Sequence, residues 1–172
     1  FSTRAERSVI AFARAAVQAL DPVVRRGEYL ERAVVIPGEP PLSGLHHRGA
    51  KRRGVLVLPP GPAGGGMEVP VVAELAWALT RAGHPTLRLD YPGVGASGGR
   101  FALEAALEAS GRGLEHLEAC LGDEGGSLAG LAGVGLGAAL ATRLATARPD
   151  TDRVLVQPDR AALLEGLPAS VL

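Results

Sequence analysis

The pattern of apolar and polar positions changes character about a third of the way along this chain of 172 residues. Before that point two short runs are typical of strands, residues 28–36 and Leu42–His47, with a proline-rich segment between them. Runs of this kind around such a segment favour a β-hairpin or meander. The first part of the core is therefore predicted to contain an antiparallel strand pair.

From Gly54 onward, apolar runs alternate with helical stripes. The predicted strands are the runs 54–58, 86–91, 128–132 and 153–157. Apolar residues at spacings of three and four predict helices between them, over residues 72–82, 103–121 and 138–147, with the second weakened by Gly111 and Gly113. This order predicts right-handed crossovers and a doubly wound, mostly parallel sheet of about six strands between two helical layers. Residues 28–158 would form the core of a single α/β domain.

The first 22 residues predict an additional helix. Thr3 and Glu6 form a capping box, and Asp21–Pro22 ends the segment. The apolar positions between them form one stripe: Val9, Ala13, Ala16, Val17 and Leu20. The stripe indicates either a helix packed on its own domain or a helix that docks on a partner.

Composition narrows the class of protein. Hydrophobic residues make up 47% of the chain, and no apolar run approaches the length of a membrane span. The 18 basic and 18 acidic residues balance, so net charge gives no reason to expect nucleic acid or an anionic membrane as a partner. The single Cys120 excludes an internal disulfide and a cysteine-based metal cluster. We expect a soluble cytoplasmic protein without a cofactor or metal.

Three glycine-rich stretches follow three of the predicted strands. They are Gly-Pro-Ala-Gly-Gly-Gly after Pro59–Pro60, Gly-Val-Gly-Ala-Ser-Gly over residues 93–98, and Gly-Val-Gly-Leu-Gly over residues 133–137. In this order the stretches resemble the oxyanion loop, the loop after the fourth strand and the nucleophile elbow of the α/β-hydrolase superfamily. The resemblance is strongest to small bacterial serine hydrolases related to dienelactone hydrolases and serine aminopeptidases, and it covers residues 28–157.

The elbow motif of that superfamily, G-x-S-x-G, holds a nucleophilic serine on a sharp strand-to-helix turn. Here Gly133 and Gly137 match the flanking glycines, Gly135 takes the serine's place and Leu136 follows it. Because a glycine has no side chain with which to attack a carbonyl, the resemblance implies a degenerate elbow.

The oxyanion loop has changed as well. It matches Pro59, Pro60, Gly61 and Pro62, and proline has no N–H to donate to an oxyanion. The superfamily's triad acid and histidine would follow a seventh and an eighth strand, whereas this chain ends soon after the sixth, so the C-terminal part of the fold is expected to be missing. No histidine matches the catalytic position, and each is expected to be structural or exposed: His46, His47, His84 and His116.

Two other nucleophiles are candidates by residue type alone. Ser97 occupies a position that shapes the loop in the superfamily, and no histidine is placed by motif to activate it. Cys120 comes late in a helix without a histidine near it by motif, so we expect a small buried apolar residue. The sequence therefore predicts no catalytic residue.

Three functional hypotheses remain. The first is a catalytically inactive α/β-hydrolase-like protein that serves as a binding, scaffolding or assembly subunit. The second is an active esterase or thioesterase with an unconventional nucleophile or a site completed by another chain. The third is a Rossmann-like nucleotide-binding module, since residues 93–98 and 133–138 fit G-x-G-x-x-G/A and Asp159 lies 26 residues beyond Gly133.

The expected partner is another protein chain, either a second copy or a different subunit. In the superfamily's strand order the run 153–157 would lie at a sheet edge, where unpaired N–H and C=O groups form a pairing template. Residues 159–164 could shield it as a short helix capped by Asp159.

Overall fold

The computed structural model describes residues 31–148 and 150–156, and in these residues a six-stranded sheet is flanked by three helices. The strands are β1 (Glu31–Ile36), β2 (Leu42–His47), β3 (Arg53–Leu58), β4 (Thr86–Leu89), β5 (Ser127–Val134) and β6 (Asp152–Val156). The helices are α1 (Pro70–Arg81), α2 (Leu103–Asp123) and α3 (Leu136–Thr146). The predicted helix of residues 1–22 and the predicted segment 159–164 lie outside the described residues.

The sheet is mostly parallel, as the sequence predicts. Its strand order is β1-β2-β4-β3-β5-β6. The hairpin of β1 and β2 pairs antiparallel and joins β4 antiparallel, whereas β3, β4, β5 and β6 run parallel to one another. Each parallel strand is connected to the next by a helix, which gives the predicted doubly wound arrangement.

The helices form two layers. On one face, α2 and α3 cover the larger apolar cluster, which includes Leu56, Leu87 and Leu131. On the other face, α1 covers a smaller cluster that includes Val55 and Val57. Adjacent residues of β3 thus enter opposite clusters, as expected of a strand that is buried on both sides. The three-layer α/β/α fold predicted from the sequence is confirmed.

Two predicted strand boundaries were wrong. β4 ends at Leu89 and not at residue 91, because the chain turns there and Tyr91 accepts a backbone hydrogen bond from Val94 at 3.0 Å. β5 extends to Val134, beyond the predicted end at residue 132. The added residues Gly133 and Val134 pair with β3 and β6, which continues the strand up to the turn. In the described part of the chain, no helix is both long and apolar enough to span a membrane.

Candidate functional site

The candidate site lies where the carboxyl ends of the parallel strands meet. In open α/β sheets this edge forms the crevice in which ligands bind. Three segments converge there: the loop of residues 59–66 after β3, the loop of residues 90–99 after β4, and the turn at Gly135 between β5 and α3. These are the three glycine-rich segments that the sequence singled out.

Gly135 has the backbone conformation of a sharp turn, with φ 54° and ψ −120°. Its N–H donates to the carbonyl of Val156 at 3.1 Å, and its own carbonyl accepts from the N–H of Ala138 at 3.0 Å. Residues with a Cβ rarely adopt this positive φ, and holding one there costs about 1–3 kcal/mol. The turn therefore has a strained strand-to-helix geometry, and here a glycine adopts it without strain.

The glycines on either side of the turn are required by close backbone contacts. A Cβ on Gly133 would lie 2.2 Å from the carbonyl oxygen of Gly137, and a Cβ on Gly137 would lie 2.2 Å from that of Leu58. Both distances are far below van der Waals contact. These two glycines let α3 start close to the ends of β3 and β5, which is the role that an elbow motif predicts.

Pro60 lies opposite Gly135. A Cβ built on Gly135 would be 3.1 Å from Cβ and 3.4 Å from Cα of Pro60. The space into which a side chain at this position would extend is therefore bounded by a proline ring. The sequence predicted that Pro60 lacks a donor, but not that it faces the elbow.

The rest of the 59–62 loop is held in place by its own contacts. Gly61 has φ 93° and forms an isolated β-bridge with Gly65, and a Cβ on Gly61 would meet Leu136 at 3.0 Å. The carbonyl of Pro59 accepts a hydrogen bond from the Tyr91 hydroxyl at 3.0 Å. Because three of the four residues in the 59–62 loop are prolines, Gly61 supplies its only N–H.

Ser97 shapes the loop that follows β4. Its hydroxyl donates to the carbonyl of Asp90 at 2.8 Å and accepts from the N–H of Ser43 at 2.9 Å. The side chain is buried, and both contacts are to backbone atoms. Ser97 thus joins the two ends of its own loop to β2.

Sequence reasoning missed Asp90, the first residue after β4. Its carboxylate is buried, accepts a hydrogen bond from the N–H of Met67 at 2.7 Å, and borders a cavity of about 320 Å³ between the loops after β3 and β4. Burial raises the pKa of this carboxyl above its ordinary value. A polar residue at the end of a buried strand was the available signal, but residues 86–91 were interpreted as one continuous strand.

The histidines of the chain lie away from the elbow. His47 pairs with Thr86, the first residue of β4, and its Nδ1 lies 3.3 Å from the Thr86 hydroxyl. Nδ1 of His84 lies 2.7 Å from the carbonyl of Arg53, the first residue of β3. Leu58, the last residue of β3, is five residue steps from Arg53, a rise of about 16 Å. The two histidines are therefore at the amino edge of the parallel strands.

The prediction for Cys120 was wrong. The thiol is only half-buried, and Nε2 of His116, one helical turn earlier, lies 3.9 Å from its Sγ. Burial, together with the carboxylates of Asp123 and Glu124, raises the pKa of the thiol. The pair lies on α2, away from the elbow, and the thiol is not activated. Among the described residues, no group of three or more His, Cys, Asp or Glu side chains is placed to hold a metal ion.

Comparisons with known proteins place this geometry in a fold family. Neither a protein-family model nor a curated protein sequence matches the chain. Solved structures do match, among them an alpha-beta serine hydrolase homologue from Coxiella burnetii, with a TM-score of 0.63 and 26% identity over 73% of this chain and 60% of that one. The chain has an α/β-hydrolase-like fold.

Two further solved structures have the same fold. A serine hydrolase without a lid from Xanthomonas campestris is 24% identical, with a TM-score of 0.58, over 74% of this chain and 59% of that one. Alpha/beta hydrolase domain-containing protein 10 from mouse is 20% identical, with a TM-score of 0.60, over 81% of this chain and 56% of that one. This chain thus spans 60% or less of the length of each of the three solved structures.

Proposed function

We propose that this chain is a catalytically inactive α/β-hydrolase-like protein that acts as a binding, scaffolding or assembly subunit. One observation carries the proposal: the residue at the turn between β5 and α3, where a serine hydrolase holds its nucleophile, is Gly135. A glycine has no hydroxyl or thiol to form a covalent intermediate. The turn keeps the backbone geometry of an elbow without the attacking group.

The positions of the histidines support the same proposal. A serine nucleophile needs a base within hydrogen-bond distance, about 2.6–3.2 Å. His47 and His84 lie at the opposite edge of the parallel strands, where they contact Thr86 and Arg53. Because nucleophile and base act as one unit, the loss of either removes nearly all of the covalent route.

The two remaining nucleophile candidates have other roles or the wrong surroundings. Both hydrogen bonds of the Ser97 hydroxyl are to the backbone, which supports a purely structural role. Cys120 has a raised pKa, which lowers the fraction of reactive thiolate at neutral pH. Neither residue borders the turn at Gly135.

The nucleotide-binding hypothesis finds no supporting observation. The 93–98 loop covers the Asp90 carboxylate so closely that a Cβ on Gly95 would lie 2.0 Å from it. A buried carboxylate beneath the loop disfavours an anionic phosphate. The glycines of the 133–138 motif are explained by backbone contacts and by the conformation of the turn. We therefore propose no nucleotide ligand.

The partner that we propose is another protein chain, and the β6 edge supports it. In the described residues β6 pairs only with β5, and Leu155 is 37% exposed. The carbonyl of Val156 points toward β5, where it accepts from Gly135. Because backbone groups alternate in direction along a strand, those of Leu155 face the open edge. An apolar edge of this kind is a template for strand pairing.

The proposal that the protein is catalytically inactive is tested by measuring the hydrolysis of a series of acyl esters and thioesters by the purified protein. For every length of acyl group, we expect the rate of hydrolysis with the protein to equal the rate in buffer alone. Saturable turnover would contradict the proposal, and the variants Ser97→Ala and Cys120→Ser would then identify its source. Turnover that survives both changes and rises with the square of protein concentration would favour a site completed by another chain.

A further inference from the structure

A pair of metal-ligating side chains lies near the C-terminal end of α2. His116 and Cys120 are one helical turn apart, so their side chains lie on the same face of the helix. Nε2 of His116 lies 3.9 Å from Sγ of Cys120. Because α2 ends just before β5 begins, the pair is at the amino edge of the parallel strands. It is therefore separate from the turn at Gly135, which follows the other end of β5.

The distance between the two atoms suits a shared zinc ion. Zinc binds cysteine sulfur at about 2.3 Å and histidine nitrogen at about 2.1 Å, with angles close to tetrahedral. A sulfur and a nitrogen bound to the same ion are then about 3.6 Å apart. The observed 3.9 Å is only slightly longer. Small rotations of the two side chains are enough to close the difference, and neither side chain is fully buried.

A cavity of about 340 Å³ lies beside the thiol. Its lining includes Cys120, Asp123 and Glu124 from α2 and the residue after it, and His46 from β2. Nε2 of His46 is buried and has no hydrogen-bond partner among the described residues. Native proteins rarely leave such an atom unsatisfied, and an ion or its water is one of the groups that can satisfy it. A water molecule that an ion carries into this cavity would give Nε2 a partner.

The charges around the thiol favour a cation. Burial raises the pKa of Cys120, and the carboxylates of Asp123 and Glu124 raise it further because they oppose another negative charge. The same carboxylates attract a divalent ion, which replaces the thiol proton. Two arginines, Arg32 and Arg48, also line the cavity. Both are exposed, so water screens their repulsion of a cation, and Arg48 lies 3.5 Å from Glu124.

We propose that Cys120 and His116 bind one zinc ion, with water in the remaining coordination positions. Sulfur and nitrogen ligands favour zinc over Mg²⁺ and Ca²⁺, which prefer oxygen ligands. The thiol releases its proton to solvent as the Zn–S bond forms, and Nε2 of His116 donates its lone pair. No oxidant or reductant is required.

A site of this kind is open, because only two of its ligands come from the protein. It therefore agrees with the absence of a group of three or more metal-ligating side chains from the part of the chain that the structure describes. The sequence predicted no metal, since a single cysteine cannot form a cysteine cluster. A mixed pair of one cysteine and one histidine needs only one. This inference is independent of the proposed loss of catalysis.

Cobalt(II) tests the site directly, because it adopts the geometry of zinc and its bond to a thiolate absorbs in the near ultraviolet. The full chain, reduced and freed of metal, is titrated first with Co²⁺ and then with Zn²⁺. We expect an absorption that saturates at one cobalt ion per chain and disappears when zinc displaces it. Zinc is also expected to raise the Tm of the wild type, because it binds the folded helix more tightly than the unfolded chain.

Two single variants show whether the pair is the source of binding. Cys120→Ser removes the thiolate and should abolish the charge-transfer absorption. His116→Gln should weaken zinc binding at least about tenfold, since even the loss of a group that only orients a metal ligand costs that much. Glu115→Gln is the matched control, because Glu115 is exposed on α2 but lies off the face of the pair. Circular dichroism checks that each variant keeps its helix and strand content.

Three results would overturn the proposal. A folded wild type that shows no thiolate absorption with Co²⁺ would mean that Cys120 does not bind the metal. Zinc binding that is unchanged in either Cys120→Ser or His116→Gln would place the ion elsewhere in the chain. One ion for every two chains would mean that two copies share it. One ion per chain, with binding weakened by either change and kept in Glu115→Gln, is the expected result.

Discussion

At the residue scale, the elbow shows which part of a motif is steric and which is chemical. Gly133 and Gly137 are fixed by backbone oxygens 2.2 Å from where a Cβ would lie, so nothing larger fits. Gly135 differs, because its nearest obstacle is the ring of Pro60 at 3.1 Å and its constraint is a φ of 54°. The flanking glycines maintain the turn whether or not the central residue can react.

Sequence alone identified these glycines but not their surroundings. The motif spacing was enough to assign the turn, because the three glycines follow a predicted strand and precede a predicted helix. That Pro60 faces Gly135, or that the Asp90 carboxylate accepts from Met67, depends on how separate loops pack. Contacts between loops after different strands leave no periodic signal in a sequence.

The buried histidines predict how stability depends on pH. Burial lowers the pKa of His46, His47 and His84 below the ordinary 6.5 in the folded protein. The unfolded chain therefore binds protons first, so stability is greatest above pH 6.5 and falls as the pH drops through 6.5. Urea unfolding at pH 7.5 and at pH 5.5 should give the smaller free energy at pH 5.5.

His46 is the residue at which this prediction is checked, because its Nε2 is buried without a hydrogen-bond partner. The charged groups around it are Glu124, Arg48, His116 and His47. Replacing it by Gln keeps the size and polarity but removes the titration. His46→Gln should therefore lose less stability than the wild type between the two pH values, and an equal or larger loss would contradict the assignment.

At the element scale, α2 illustrates how a sequence pattern can mislead. Both glycines near its middle predicted a weakened helix. In the structure nothing lies within 4 Å of a Cβ on Gly111, whereas a Cβ on Gly113 would lie 2.2 Å from Leu89. Gly111 therefore lowers the helix propensity of α2 without improving its packing, whereas Gly113 lets α2 approach β4.

The two glycines should respond in opposite ways to the same substitution. Gly111→Ala is expected to raise the free energy of unfolding by about 0.5–1 kcal/mol through helix propensity. Gly113→Ala is expected to lower it by about 1–3 kcal/mol, since the added methyl overpacks the core against Leu89. Thermal unfolding of the two single variants measures both. Stabilisation by Gly113→Ala would show that α2 can move away from the sheet at no cost.

The order of elements was more predictable than their ends. The apolar runs of β3 and β4 are recognisable because both faces of a parallel strand are buried. The end of β4 was missed because Tyr91 is apolar and fully buried although it lies in a loop. β5 was predicted too short because Gly133, at its end, is a residue type common in turns, whereas here it allows a close contact with Gly137.

At the scale of the whole molecule, the described sheet has two edges, and they differ. β1 lies at one edge and β6 at the other. If β6 pairs with another chain, Leu155→Lys should shift the assembly to smaller species, because a lysine on an edge strand opposes pairing. Phe101→Lys is the matched control, since Phe101 has the same 37% exposure but lies outside the sheet.

The assembly is measured by light scattering coupled to size exclusion over a range of protein concentrations. A wild-type protein that stays monomeric at the highest concentration and co-purifies with no other chain would contradict the proposed partner role. An equal shift in both lysine variants would place the contact away from β6.

The central claim is that the fold keeps the elbow without a working nucleophile, and intact-mass spectrometry after treatment with a fluorophosphonate tests it most directly. The wild type and Gly135→Ser are treated in parallel, with circular dichroism as the check of folding. We expect no added mass on either protein, because Gly135 offers no hydroxyl and the described histidines lie away from a serine placed there. One equivalent of label on the folded wild type would contradict the absence of a nucleophile, and one equivalent on Gly135→Ser alone would contradict the absence of a base.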